Sequence, residues 1–129
     1  MIEVYTDGAT SGNPGKSGAG IYIKANAVHD EYAFPLGIMT NHEAEFHAVI
    51  QALKVCKTAF PGEILSFRSD SRTVVDVINK DFTKNPVFLP LLEEIRELTS
   101  AFPYFFIKWI QKKENLHADQ LAKKALRML

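Results

Sequence analysis

The chain first changes its periodicity at Thr40, and that switch limits the folds open to it. Before it, Met1, Ile2, Val4 and Tyr5 form an apolar run ending at Thr6, and Ala19 to Lys24 alternates weakly through Ile21 and Ile23. Asn26 makes a tight turn into a third run, about Val28 to Leu36. Three short runs with short connections predict an antiparallel meander. Gly8, Gly12, Gly15 and Gly18, with Pro14 among them, predict a turn region over 8–18. After the switch, Phe46, Val49, Ile50, Leu53 and Cys56 recur at helical spacing. Thr40-Asn41-His42-Glu43 has the form of a capping box that starts this helix, with Thr as cap and Glu three residues on.

The remainder alternates between the two periods. Pro61-Gly62 stops the helix, and Ile64 to Arg68 reads as a buried strand leading into Ser69-Asp70-Ser71. Val74, Val75, Val77 and Ile78 predict a short helix, and Lys80 to Asn85 a polar loop. Leu91, Leu92, Ile95 and Leu98 mark another helix that closes before Pro103. Tyr104 to Ile110 is an aromatic-rich strand, read as a core strand because aromatics favour strands. Gln111 to Glu114 is a polar link, and Asn115 caps a last helix whose apolar face carries Leu121, Ala122, Ala125 and Leu129. This order predicts an α/β fold, a mixed sheet with helices packed on it.

At 129 residues the chain is expected to be a single domain, 1–129, with a core that needs no disulfide or metal staple. Its 15 basic and 15 acidic residues cancel, so any site for a polyanion has to be a local patch or metal-assisted. Cys56 is the only cysteine and lies in an apolar helical pattern, which predicts a buried, inert thiol. A chain with no internal disulfide fits a reducing compartment, and the cytoplasm is the expected location. No apolar run is long enough to span a membrane, and the N-terminus lacks the layout of a signal peptide.

Four acids carry the chemistry. Asp7 ends the first apolar run beside the glycine-rich segment. Glu45 has Ala48, Val49 and Ala52 at i+3, i+4 and i+7, so it lies on or beside the buried face of its helix. A buried carboxylate is costly unless paired or bound to metal, so Glu45 is either a metal ligand or a boundary acid bridged to a Lys or Arg. Asp70 lies between a strand and a helix, where it either caps the helix or, with Ser71 as cap, points freely over the sheet edge. Asp119 occupies the first turn of the last helix, a place that suits the helix dipole, among Lys112, Lys113 and Lys123. Four carboxylates on elements able to pack together match the needs of two-metal phosphodiester cleavage, in which divalent ions about 3.5–4 Å apart clamp the attacking and leaving oxygens. Hard ions such as Mg²⁺ prefer such oxygen ligands. No His/Cys spacing suggests zinc.

The motifs resemble type 1 ribonuclease H over nearly the whole chain. They are Thr6-Asp7-Gly8-Ala9, Gly12-Asn13-Pro14-Gly15, Gly18 to Gly20, Thr40 to Glu45, Ser69-Asp70-Ser71, and Asn115 to Ala122. The resemblance implies the ribonuclease H fold, a five-stranded mixed sheet with its first three strands antiparallel, flanked by helices. It implies an endonuclease that cleaves the RNA strand of RNA/DNA hybrids by in-line hydrolysis, leaving 5′-phosphate and 3′-hydroxyl ends. By the same carry-over Asp7, Glu45, Asp70 and Asp119 are catalytic and hold two Mg²⁺ ions, with Mn²⁺ a possible substitute. Gly8, Thr10, Asn13, Asn41, His42 and Ser71 correspond to substrate contacts, the asparagines on the minor-groove side, where 2′-hydroxyls distinguish RNA from DNA. Asn13 equally suits a turn in Asn-Pro-Gly.

The chain departs from the family in three places. Position 42 is His where Asn or Gln is common. The link before the last helix is short and lacks the flexible His of many bacterial members; His117, inside the helix start, is read as a surface residue. The basic protrusion of some members has no room between Val74 and Ile95. The departures suggest weaker or more slowly released substrate. Two other readings stand beside the hybrid nuclease: a catalytically weak or silent nucleic-acid-binding member of the fold, and a transposase- or exonuclease-like nuclease. A monomer is the default.

Overall fold

The computed structural model describes residues 1–128. Leu129, expected on the apolar face of the last helix, lies outside the described residues. Five strands form one sheet: β1 (Ile2–Gly12), β2 (Gly15–Ala25), β3 (Val28–Met39), β4 (Leu65–Ser69) and β5 (Phe105–Trp109). Their order is β3-β2-β1-β4-β5. The pairs β1–β2 and β2–β3 are antiparallel, whereas β1–β4 and β4–β5 are parallel. The helices are α1 (Asn41–Ala59), α2 (Arg72–Lys80), α3 (Phe88–Thr99) and α4 (Leu116–Leu126), with a short 3₁₀ turn at Lys112–Glu114. This is the expected mixed sheet with three antiparallel strands first. None of the described helices is long and apolar enough to cross a membrane.

The capping box that starts α1 forms as expected. Thr40 Oγ1 accepts from the Glu43 N–H, and Glu43 Oε1 accepts from the Thr40 N–H at 3.0 Å. The face that follows buries Phe46, Val49, Ile50, Leu53 and Cys56 against Val4, Ile21, Ile23, Leu65 and Phe67 of the sheet. Burial pushes the Cys56 thiol up to about 12, which leaves it protonated and unreactive.

The segment 8–18 is not the turn region its glycines predict. β1 runs on to Gly12 and β2 begins at Gly15, so only Asn13 and Pro14 turn, through a cis peptide bond. Gly12 and Gly15 shape the hairpin, while Gly8 and Gly18, with Gly20 beyond, serve helix packing. A Cβ on Gly8 would lie 2.5 Å from the Ala44 carbonyl carbon of α1. A Cβ on Gly20 would lie 2.1 Å from the Ala118 carbonyl oxygen of α4, and one on Gly18 2.8 Å from the Ala122 carbonyl oxygen. Successive strand residues point to opposite faces, so α1 and α4 close on opposite sides of the same two strands. Two further differences are smaller. β3 extends to Met39, past Leu36. On β5, Phe105 and Ile107 turn inward, but Phe106, and Tyr104 just before the strand, are 54% and 62% exposed, so this edge strand is core on one face only.

Close packing at these glycines generates a prediction. Gly20→Ala forces α4 away from β2 and lowers unfolding free energy by about 3 kcal/mol. Gly37→Ala meets nothing within 4 Å and stays within about 0.5 kcal/mol of the parent. Urea unfolding of the two variants checks both figures.

Candidate active site

The parallel pairing of β1 with β4 stops at Thr6 opposite Ser69. The chain of β4 then leaves the sheet while β1 continues beside β2. Asp7 is therefore not at a strand tip, as the sequence suggests, but in mid-strand where its neighbour has ended. Asp70 is the first residue beyond β4, and Ser71 takes the capping position of α2, its Oγ accepting from the Val74 N–H at 3.3 Å. That leaves the Asp70 carboxylate free to point over the sheet edge.

Glu45 reaches the same place from α1. Its Oε1 accepts from the Gly8 N–H at 3.1 Å, and its Oε2 is buried with no hydrogen-bond partner among the described residues. It makes no ion pair with a Lys or Arg among them, which removes the boundary-acid reading. Carboxylate oxygens of Asp7, Glu45 and Asp70 all lie within 4.8 Å of one another. Asp119 stands outside this group of three. It approaches Asp7 from the first turn of α4 and pairs with Lys123 at 3.1 Å.

Burial and mutual repulsion shape the protonation of the cluster. Asp7 is raised far above the ordinary carboxylate range, first by burial and then by the Glu45 charge. Burial also raises Glu45, against a lowering hydrogen bond with Asp7. Asp70 is raised by burial, against a lowering hydrogen bond from Asn115. Like charges this close cannot all ionise without compensation. A divalent cation supplies that compensation and matches an all-oxygen donor set. The unpartnered Glu45 Oε2 is a further oxygen of the cluster with its hydrogen-bonding capacity unmet among the described residues. The residues present therefore fit a metal ion.

The remaining residues singled out from the sequence are spread more widely. Asn41, His42 and Ser71 line one cleft with Glu45 and Asp70. Asn13 lies in the β1–β2 turn, and its Oδ1 accepts from the Asn41 N–H at 2.9 Å, which ties that hairpin to the start of α1. Thr10 is half-buried on β1 beyond the acids. Gly8 is buried beneath α1 with its N–H already bonded to Glu45, so it supports the cluster from within. His117 is exposed, as expected, stacked on Tyr22 at 3.7 Å between ring centroids and paired with Glu31.

Sequence reasoning missed three contributors. Asn115 precedes α4 but does not cap it with its side chain. Its Nδ2 donates to the Thr6 carbonyl at 2.9 Å and to Asp70 Oδ2 at 3.3 Å. Trp109 ends β5, and its Nε1–H donates to the Asp70 carbonyl at 3.1 Å. Arg72 stacks on the Trp109 ring. The available signal was that Trp109 is the sole tryptophan and ends the strand beside the one that delivers Asp70.

The raised acids set a pH dependence. Asp7 and Glu45 hold protons more tightly folded than unfolded, so their cation-free contribution is complete below about pH 4 and is lost as pH rises, up to about 7 for Glu45 and on to about 11 for Asp7. Unfolding free energy should fall by several kcal/mol, about 1.4 per pH unit for each acid still protonated only in the folded state, between pH 5 and pH 8 in chelator. Asp7→Asn should flatten that slope, and saturating Mg²⁺ should restore the loss. Urea titrations at the two pH values read all three.

The comparisons agree with this geometry. The model of the reverse transcriptase-like family matches residues 5–125. EbsB of Enterococcus faecalis, named as a hydrolase without a stated substrate, is 40% identical over 98% of this chain and 94% of its own. The ribonuclease H of Chlorobaculum parvum is 32% identical over 98% of this chain and 95% of its own. Against some others the chain spans about half of the relative; for the ribonuclease H of Chlorobium phaeobacteroides BS1, 41% identical, the match covers 55% of its length. Among solved structures, ribonuclease H1 of Halobacterium salinarum superposes with a TM-score of 0.92 at 29% identity, covering 99% of this chain and 98% of that one. LC11 ribonuclease H1, in complex with an RNA/DNA hybrid, superposes with a TM-score of 0.91 at 26% identity over 98% and 97%. Fold, motif order and relatives converge: the chain belongs to the type 1 ribonuclease H family.

Proposed function

We infer that the chain is a metal-dependent endonuclease that hydrolyses the RNA strand of RNA/DNA hybrids. The observation that carries this reading is the meeting of Asp7, Glu45 and Asp70 within 4.8 Å at the point where β4 leaves the sheet. Support for the substrate comes from the LC11 enzyme, a near-superposable relative bound to such a hybrid. Asp7, Glu45, Asp70 and Asp119 would hold two Mg²⁺ ions, Asp119 completing the set from α4. When bound, such ions neutralise phosphate oxygens and lower the pKa of the attacking water.

The chain's own groups do the rest. Gly8 N–H fixes Glu45, Asn115 fixes Asp70 against the end of β1, and Lys123 holds Asp119 at the rim. Asn41 and His42, exposed at the mouth of the cleft, face the side from which a shallow A-like minor groove with its 2′-hydroxyls would be read. Asn13 acts through Asn41, whose backbone it holds. Ser71 keeps the start of α2 in place beside Asp70. Hydrolysis in line with the leaving oxygen gives 5′-phosphate and 3′-hydroxyl ends. The short link at 111–114, without a His, slows product release. Residues 1–129 act as one domain, and the cytoplasm is its proposed location.

Incubation with end-labelled hybrid, duplex DNA and duplex RNA in Mg²⁺ and in Mn²⁺ tests the reading. Cleavage should be confined to the RNA of the hybrid and should stop in chelator. Asp70→Asn should lower kcat by at least about 1,000-fold, several kcal/mol of lost charge stabilisation. Binding without cleavage in either metal would favour the silent binding member instead, and cleavage of duplex DNA would favour a nuclease of the transposase or exonuclease kind.

A further inference from the structure

Arg72 is the first residue of α2, two positions beyond Asp70. Its guanidinium carbon lies 3.8 Å from the centroid of the Trp109 ring. That ring is itself fixed, because Nε1–H donates to the Asp70 carbonyl. A side chain with many rotamers is thus held in one place beside the acid cluster. Arg72 lines the same cleft, of about 390 Å³, as Asn41, His42, Glu45 and Asp70.

Helix electrostatics do not account for an arginine here. A cation at a helix N-terminus opposes the dipole, at a cost typically of ~0.3–1 kcal/mol. No acid in the first turn of α2 offsets it. Arg72 is exposed and forms no ion pair among the described residues. Stacking on an indole stabilises the guanidinium but leaves its N–H edge free to donate. A planar, permanently charged fork held at the rim of the cleft beside the acid cluster suits a phosphate. With no net charge on the chain, attraction for a nucleic-acid backbone has to come from bound metal and from such fixed local cations.

We propose that Arg72, stacked on Trp109, binds a phosphodiester of the substrate backbone next to the one held at the acid cluster, and so sets substrate affinity and register. The assignment rests on the reading of the chain as a hybrid nuclease. Trp109 acts through Arg72 and Asp70 as a positioning residue.

Steady-state cleavage of a 12-base-pair RNA/DNA hybrid by the full chain and by Arg72→Gln, from 50 to 200 mM KCl, tests it. The same proteins are titrated onto the hybrid by fluorescence anisotropy in Ca²⁺. The variant should raise KM and Kd about ten-fold at low salt with kcat within two-fold. Its plot of log Kd against log salt should be shallower by about one charge. Arg72→Lys should keep the salt slope while losing part of the affinity. An unchanged KM, Kd and salt slope in Arg72→Gln overturns the assignment while cleavage by the parent leaves the nuclease reading standing. So does a fall in kcat alone. If the parent binds hybrid without cleaving it, anisotropy alone decides on Arg72. If it neither binds nor cleaves, both readings fall together.

Discussion

The distance of closest approach between α1 and β1 governs the acid cluster. Glu45 sits on a helix and Asp7 on a strand, and two such elements with ordinary side chains between them would hold the carboxylates apart. Gly8 removes the intervening side chain, and its N–H then meets Glu45 Oε1. The same device is repeated on the opposite face, where Gly18 and Gly20 admit the α4 backbone and with it Asp119. The sheet is pinched from both sides at one point, and that point lies just past the end of β4.

A cluster assembled this way is electrostatically unfavourable alone. Two of its members are at least nine-tenths hidden from solvent, at 4% and 6% exposure for Asp7 and Glu45. Their shared burial drives protons onto them. The surrounding hydrophobic core, from Val4 and Ile21 through Phe46 and Phe67, is what keeps the arrangement closed against that repulsion. Stability and chemistry are therefore opposed at these acids, a pattern that marks functional sites in folds that are otherwise locally consistent.

Sequence made the architecture legible wherever the deciding forces were local. The capping box at Thr40 and the switch from strand to helix period both depend on neighbours a few residues away, whereas the choice between Asp70 and Ser71 as cap of α2 is open in the sequence and falls to Ser71 in the structure. The buried character of Glu45 follows equally from its i+3, i+4 and i+7 neighbours. Readings failed where the deciding partner was distant. The glycines at 8 and 18 imitate a turn because their real constraint, the backbones of α1 and α4, is invisible locally. Asn115 looks like a cap because Asn commonly is one, while its actual partner, the Thr6 carbonyl, is 109 residues away. Tyr104 and Phe106 read as core because strand propensity carries no information on which face of an edge strand stays uncovered.

The tether between Trp109 and Asp70 has an optical consequence. The chain contains one indole, and it is bonded to the backbone of a cluster acid and covered by Arg72. Tryptophan emission from this molecule therefore originates entirely at the margin of the site. Cation loading or arrival of a nucleic-acid backbone, by altering the field and the quenching groups around that single ring, becomes readable in the unlabelled protein as a change in colour and intensity.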